Sequence, residues 1–361
     1  MTAPCQVLSG TATKGLSIPW LLAALLLVGA VWSLTVGNYP IGLGDQWRAL
    51  TGTFTGEDGE ARMRLVGVVL YDIRLPRLVA AVLLGAALSM SGAAYQAMFV
   101  NPLVSPALLG VLAGAGFGAA CGMLVGAPWL AVQACSFAGG LLAVGLALFL
   151  AAICRGDRQL VLILSGVIST ALFTALLAAA KYVADPKDQL PAITYWLMGG
   201  LSRADGPTMV RAAPVMLVCM AGLFAFSRQL DLLSLGDEEA QSLGLSVAPV
   251  RLILIGLTTV LCAATVSIAG LIGWVGLIIP HAGRMLVGPD NRRLLPTVAL
   301  LGGLFLLLVD DVAADLFGGN SPGHPDRPDR HPVFSDCAAP CPARLELGHG
   351  RVHGRESELC L

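Results

Sequence analysis

The sequence predicts an all-α, polytopic membrane protein, that is, a bundle of transmembrane helices. Its 361 residues are 56% hydrophobic and only 12% charged, whereas about a quarter of residues are charged in ordinary soluble domains. Several apolar runs reach about 20 residues, the length that crosses a hydrocarbon core of about 30 Å. A membrane β-barrel would instead show short segments of alternating hydrophobicity.

The composition also narrows the functional classes. A net charge of −1 gives no electrostatic basis for binding nucleic acid, so membrane lipid is the expected surrounding. The 43 glycines favour close helix packing, because small residues let transmembrane helices approach one another. The nine cysteines lack metal-site spacing and fit small packing residues. We therefore expect no metal, redox centre or cofactor.

The apolar runs predict nine helices. Their expected bounds are 18–36, 76–98, 106–125, 129–153, 159–182, 209–226, 250–269, a short broken helix within 270–296, and 297–317. The first run is long for a signal peptide and lacks a clear cleavage site, so we interpret it as a retained helix. Pro76 is tolerated in a first helical turn. The polar loop 184–208 is expected to contain a short interfacial helix.

Small and weakly polar residues recur on two of these helices. They are Gly85, Ser89, Gly92 and Gln96 on the second, and Ser165, Gly166, Ser169 and Thr170 on the fifth. Helix packing and a pathway-facing surface both explain such a stripe. We assign the pathway and its inner gate to Gln96, Asp157, Gln159, Leu160, Ser165 and Gly166.

Three polar residues in the second half have alternative interpretations. Asp310 and Asp311 would suit proton carriers of a secondary transporter. They lie near a predicted helix end, so snorkelling to the membrane surface is the simpler explanation. His281 follows a proline and has no second histidine nearby, which favours a structural turn over a metal ligand.

The acidic segment GDEEAQSLGL (236–245) separates two apolar runs. Asp237, Glu238 and Glu239 would open a short helix, where acidic residues are favoured by the positive end of the helix dipole. Gly244 is a natural stop. Lys and Arg are divided evenly between the loops of the two sides, so the positive-inside rule leaves the orientation of this segment open.

Five motifs carry a resemblance to a known family. They are RLPR (74–77), SG…Q…NPL…P..LG (91–110), WLMGG (196–200), LGDEEAQSLGL (235–245) and GLIGWVGLIIPHAGRMLVGPDNRRLLP (270–296). Together, over residues 20–319, they resemble the FecCD-type permeases of binding-protein-dependent ABC importers for iron-siderophores, haem and cobalamin. The resemblance implies ten transmembrane helices, a bacterial inner-membrane location and a cytoplasmic N-terminus.

The same resemblance implies partners and site residues. The partners are a cytoplasmic ABC ATPase dimer, a periplasmic or lipid-anchored solute-binding protein, and a second permease subunit that is identical or paralogous. The implied ATPase-coupling residues are Gly236, Asp237, Glu238, Glu239, Ala240, Leu243, Gly244 and Leu245. Pro280, His281 and Arg284 are implied to form a cytoplasmic turn. ATP hydrolysis is expected in the partner, so this chain is not expected to be an enzyme.

The chain changes character after Gly319. We predict a permease domain over 1–319 and an aberrant, disordered polar tail over 320–361, where the tenth helix of the family should lie. Read one nucleotide later, with third bases chosen freely, the codons of 319–345 can encode EIPLGILTALIGTPFFRTALLRARRGW. This is an apolar helix, a turn and a basic tail, so we predict a frameshift near 318–319.

The sequence thus predicts the permease subunit of an ABC importer for an iron chelate, with Fe(III)-siderophore as the first substrate and haem or cobalamin as alternatives. A secondary transporter driven by ions is the rival of another class, but it would need acidic residues near helix centres. A truncated, non-functional product is the third alternative.

Overall fold

The computed structural model describes residues 17–35, 42–51 and 59–317, and these are almost entirely helical. The α-helices are α1 (Ser17–Thr35), α2 (Leu43–Thr51), α3 (Gly59–Gly67), α4 (Leu75–Met98), α5 (Val111–Leu124), α6 (Trp129–Ile153), α7 (Arg158–Val183), α8 (Gln189–Leu197), α9 (Gly206–Ala225), α10 (Ser227–Leu233), α11 (Asp237–Ser242), α12 (Val247–Ala269), α13 (Val275–Val287) and α14 (Asn291–Phe317). Within these ranges, 7 helices are long and apolar enough to cross a membrane. The predicted all-α membrane class is confirmed.

Two predicted helix starts are wrong, and proline explains both. The second span does not begin at Pro76, because a π-helical turn (Val68–Arg74) joins α3 to α4. The N–H of Leu75 bonds the carbonyl of Leu70 at the end of that turn, and Pro76 lies in the first turn of α4, where its missing N–H is tolerated. The last described helix begins at Asn291 and contains Pro296, as transmembrane helices tolerate when neighbours satisfy the freed backbone groups.

Helix α4 is the centre of the bundle, and it packs against α9, α12, α13 and α14. Its glycines make these contacts close. A Cβ atom on Gly85 would lie 2.2 Å from the carbonyl oxygen of Gly302, and one on Gly92 would lie 1.8 Å from that of Gly276. Ser89 is fully buried. At Gly85, Ser89 and Gly92 the stripe therefore serves helix packing, and the pathway role assigned to Gln96 stays a prediction.

The polar stripe of α7 also serves packing on its buried side. Ser169 donates a hydrogen bond to the carbonyl oxygen of Ala143 on α6 at 2.7 Å. A Cβ on Gly166 would lie 2.4 Å from the carbonyl oxygen of Leu108, in the 3₁₀ helix Pro106–Leu109. The opposite side of α7 is apolar and exposed in the single chain.

A polar cluster ties α1, α4 and α14 together at one end. The Arg77 guanidinium donates to both carboxylate oxygens of Asp310, at 2.6 and 2.9 Å, and Ser33 donates to Asp311 at 2.7 Å. Both aspartates lie about two turns before the end of α14. Asp310 is therefore paired within the bundle, which contradicts the snorkelling interpretation for this residue. Asp311 is only partly satisfied, because its Oδ2 is buried and has no hydrogen-bond partner among the described residues.

The tail 320–361, its predicted disorder, the predicted frameshift and the tenth helix all lie outside the described residues. They stay predictions from the sequence.

Candidate coupling site

The acidic segment forms a short helix with glycine at both ends, as predicted. Gly236 precedes α11 at φ 110° and Gly244 follows it at φ 87°, a left-handed backbone that glycine adopts without strain. The N–H of Leu245 bonds the carbonyl of Ala240, and the N–H of Gly244 bonds that of Gln241. This is the Schellman pattern, which satisfies the carbonyl groups that a helix end leaves free.

One side of α11 is buried and the other faces outward. Ala240 is fully buried, where α11 packs on α10 and α12. Glu238 and Glu239 are exposed, and Leu243 is 60% exposed. The helix therefore has two carboxylates and one apolar side chain on its exposed side, while its other side rests on the bundle.

A buried arginine fixes the start of α11 to two other helices. Arg251, in the first turns of α12, donates to both carboxylate oxygens of Asp237 at 2.5 and 2.8 Å. Its Nη2 also donates to the carbonyl oxygen of Met98, the last residue of α4, at 3.3 Å. Only 5% of Arg251 is exposed, and a buried guanidinium is tolerated when it is paired in this way.

The C-terminal end of α4 collects further polar contacts from α7 and α13. Gln159, at the start of α7, donates to the carbonyl oxygen of Phe99 at 2.6 Å. Gln96 donates to the carbonyl oxygen of Leu277 at 3.3 Å and accepts a hydrogen bond from Arg284 of α13. Two residues assigned to the pathway and gate, Gln96 and Gln159, thus meet Arg284 of the predicted cytoplasmic turn at one helix end.

The other predicted gate residues are placed separately. Asp157 caps α7 by accepting a hydrogen bond from the N–H of Leu160 at 2.8 Å, and Leu160 is 65% exposed. Ser165 is buried, and Gly166 lies in the packing contact described above. Ser165 and Gly166 are not brought to the end of α4.

The predicted turn at Pro280, His281 and Arg284 is wrong in its local structure. All three lie inside α13, and the chain turns only at 288–290. Pro280 is buried within α13. Like Pro296 in α14, it is tolerated inside a transmembrane helix when neighbours satisfy the freed backbone groups. His281 is exposed, and no group of three or more metal-ligating side chains was found in the described part of the chain.

A second link at this end joins α10 to α14. Asp231 of α10 accepts hydrogen bonds from the backbone N–H and the side-chain amide of Asn291, both at 2.8 Å. These donors belong to the first residue of α14, where a helix N-terminus favours a carboxylate.

A cavity of about 740 Å³ opens beside this network. Its walls come from the end of α6, the loop 154–156, and the starts of α7 and α12, including Arg155 and Arg251. The described residues therefore leave a gap between the start of α12, the end of α6 and the start of α7.

Sequence reasoning missed both polar links. It did not single out Arg251 or Asp231. One signal was present: Arg251 is a lone arginine near the start of a long apolar helix, and such residues in transmembrane helices usually have a specific partner.

Comparison with known proteins identifies the family. Residues 25–321 match the model of the FecCD transport family. The molybdate import system permease protein MolB of Haemophilus influenzae is 37% identical over 304 residues, which is 83% of this chain and 88% of the relative. The hemin transport system permease protein HmuU of Yersinia pestis is 35% identical over 304 residues, or 82% and 86%.

A solved structure has the same fold. It is assigned to a metal-chelate type ABC transporter in an inward-facing conformation, with 35% identity, a TM-score of 0.74, and coverage of 83% of this chain and 91% of that chain. Together with the apolar helices, these likenesses make the chain a multi-pass inner-membrane protein. The chain belongs to the FecCD transport family and is a permease subunit of an ABC importer.

Proposed function

We propose that this permease imports an iron chelate, with Fe(III)-siderophore as the first substrate, and that α11 receives the motion of a separate ATPase. The observation that carries the proposal is the two-sided nature of α11. Its exposed side offers Glu238, Glu239 and Leu243 to a partner, while its buried side is anchored to the bundle through Ala240 and Asp237.

The mechanism follows from this placement. Closure of an ATPase dimer on binding ATP would displace α11 on each of two permease subunits. Because α11 is hydrogen-bonded to α12, and through Arg251 to α4, its displacement would tilt these helices. Tilting of the bundles against each other gives alternating access to a pathway between the two subunits.

The exposed side of α7 is our proposed wall of that pathway and contact with the second subunit. Leu164, Val167, Ile168 and Leu172 are each at least 45% exposed in the single chain. A large chelate hides the charge of its metal, so a wall of apolar side chains suits it better than a ring of charges would. A periplasmic or lipid-anchored binding protein would deliver the chelate to the end opposite α11.

Two observations support the choice of substrate. They are the solutes named for the relatives, and the apolar, uncharged character of the exposed side of α7. One relative carries hemin and one structural neighbour is of the metal-chelate type. Haem and cobalamin remain the alternatives. Molybdate enters as a fourth candidate because of the first relative above, and it was not among the substrates that the sequence suggested.

Reconstituted vesicles test the substrate and the class together. The permease, its ATPase and its binding protein are assembled in lipid vesicles, and ATP-dependent uptake of a radiolabelled Fe(III)-siderophore is measured. Unlabelled haem, cobalamin and molybdate serve as competitors. ATP-dependent siderophore uptake supports the proposal, stronger competition by another solute reassigns the substrate, and uptake that persists without the ATPase identifies a secondary transporter.

Charge reversal tests α11 as the coupling element. In Glu238→Arg with Glu239→Arg, uptake is expected to fall by about tenfold or more, because typical couplings between sites reach 5- to 150-fold. The amount of subunit in the membrane is expected to be unchanged, since both side chains are exposed. The matched control for the amount of subunit in the membrane is Asp188→Arg, at an exposed acidic residue just before α8. Normal uptake in the double variant refutes the assignment.

We also propose that the natural reading frame continues one nucleotide later from about residue 318, so that a tenth helix replaces 320–361. Resequencing the gene decides this point. An intact frame that still encodes the printed tail in independent isolates would refute it and would favour a truncated product.

A further inference from the structure

The guanidinium of Arg251 is the point at which three helices meet. It belongs to α12, it holds the Asp237 carboxylate at the start of α11 with two hydrogen bonds, and it reaches the last carbonyl of α4 at Met98. The planar guanidinium has donors fixed in a fork, so it can hold two acceptors in a set geometry. A lysine ammonium has no such fork.

This contact is poorly explained by stability alone. Removing a guanidinium from water is costly, and a buried ion pair can often be replaced by apolar side chains without loss of stability. The Arg251 side chain is only 6% exposed and that of Asp237 is 27% exposed. The arrangement is better explained by a need for a fixed connection between elements that differ in sequence position by 14 and 153 residues.

A displacement of the end of α4 would also displace α13 and α14, because they are in direct contact. The helix contacts α13 and α14 through glycines whose backbones touch directly, at Gly92 with Gly276 and at Gly85 with Gly302. Close-packed interiors transmit strain because they compress little. Arg251 also lines the cavity described above, so there is space beside the start of α12.

We propose that Arg251 is a positioning residue that transmits the displacement of α11 to the C-terminal end of α4, through its simultaneous hydrogen bonds to Asp237 and to the Met98 carbonyl. This inference rests on the proposed function of α11. It adds the residue and the route by which motion at the ATPase contact enters the centre of the bundle.

The test compares Arg251→Lys with the original residue in the assembled importer, using the chain that the resequenced gene encodes. Lysine keeps the positive charge beside Asp237 but cannot form the fork. The ATPase is expected to remain bound and to hydrolyse ATP within about twofold of the original rate. Uptake per ATP hydrolysed is expected to fall by about 5- to 150-fold, the range of typical coupling energies.

Measuring a distance between α11 and the end of α4 tests the same transmission of motion without a transport assay. Nitroxide labels on Ser242 of α11 and on Leu103, just after α4, report whether the two elements move together when ATP binds; both positions are exposed. We expect a constant distance with Arg251 and a shift of about 2 Å with Arg251→Lys, the size of typical helix displacements. An equal response in both proteins overturns the proposal.

Two further variants separate the possible outcomes. Arg293→Met removes an exposed i,i+3 pair with Asp290 at 3.7 Å and should leave the coupling ratio unchanged. Arg251→Asp with Asp237→Arg restores the ion pair but places a carboxylate near the Met98 carbonyl, so uptake should stay low if the route passes through α4. Recovered uptake overturns the proposal.

The remaining outcomes are also decisive. Loss of ATPase binding in Arg251→Lys, or failure of both Arg251→Lys and Arg251→Met to accumulate in membranes, would assign Arg251 to folding and overturn the proposal. Failure of the proposed function is seen separately, as normal uptake in the Glu238→Arg, Glu239→Arg protein.

Discussion

The contact between α4 and α13 at Gly92 gives the sharpest stability prediction. In Gly92→Ala the new Cβ would lie 1.8 Å from the carbonyl oxygen of Gly276 and 2.8 Å from its Cα. Ordinary contact begins near 3.4 Å, so the two backbones would have to separate by about 1.6 Å. A gap of only 0.5–1 Å already forfeits a quarter to a half of the dispersion energy of each atom pair.

The expected cost is large because both partners are backbone. Overpacking a filled core typically costs about 1–3 kcal/mol, and here neither atom can rotate away. The alanine would recover about 1 kcal/mol of intrinsic helix propensity. Because the overpacking cost should lie at the upper end of its range, we expect a net destabilisation of about 2 kcal/mol.

Thermal or denaturant unfolding of the detergent-solubilised subunit measures this cost. The matched control is Gly145→Ala on α6, where a Cβ meets nothing within 4 Å, and where we expect a gain of about 0.5–1 kcal/mol. Equal stability of Gly92→Ala and Gly145→Ala would refute the account of α4 as a helix packed through backbone contact.

Three further variants test other contacts of the fold. Arg77→Met should destabilise the subunit by about 1–3 kcal/mol, less than for a fully buried pair because the arginine is partly exposed. Adding Asp310→Leu should restore most of the lost stability in the same unfolding assay. A double variant as unstable as Arg77→Met would contradict the ion pair. Gly244→Val should destabilise the end of α11 by more than about 1 kcal/mol, since valine disfavours a positive φ. The amount of ATPase that co-purifies with the subunit should fall. Unchanged ATPase binding would contradict a role for this cap. Ser169→Ala should cost about 1 kcal/mol through the lost hydrogen bond to Ala143, and no change in unfolding would contradict that contact.

The helices were predictable from the sequence, and so was α11. Runs of apolar residues fix the spans, and the acidic turn between Gly236 and Gly244 fixes a short helix, because both signals are local. Proline was the main source of error. A proline is read as a boundary, yet Pro76, Pro280 and Pro296 lie within or beside continuous helical segments, where tertiary packing outweighs the local preference.

The polar network was not predictable, because its partners are far apart in the chain. Arg251 meets Met98 only when α12 lies against the end of α4, and Gln159 meets Phe99 only when α7 does. Gln96 was singled out for its place on a helical stripe, and its contacts with Leu277 and Arg284 of α13 could not be predicted from that position. Asp310 was placed near a helix end by its position alone, and its partner Arg77 lies 233 residues earlier.

Site-specific photo-crosslinking at Leu243 tests the central claim most directly. A photoreactive amino acid replaces Leu243 at the exposed side of α11, and in a control it replaces Tyr182, which is 92% exposed at the opposite end of α7. The account predicts a covalent adduct with the ATPase subunit from position 243 and none from position 182. No adduct at 243, or equal adducts at both positions, would contradict it.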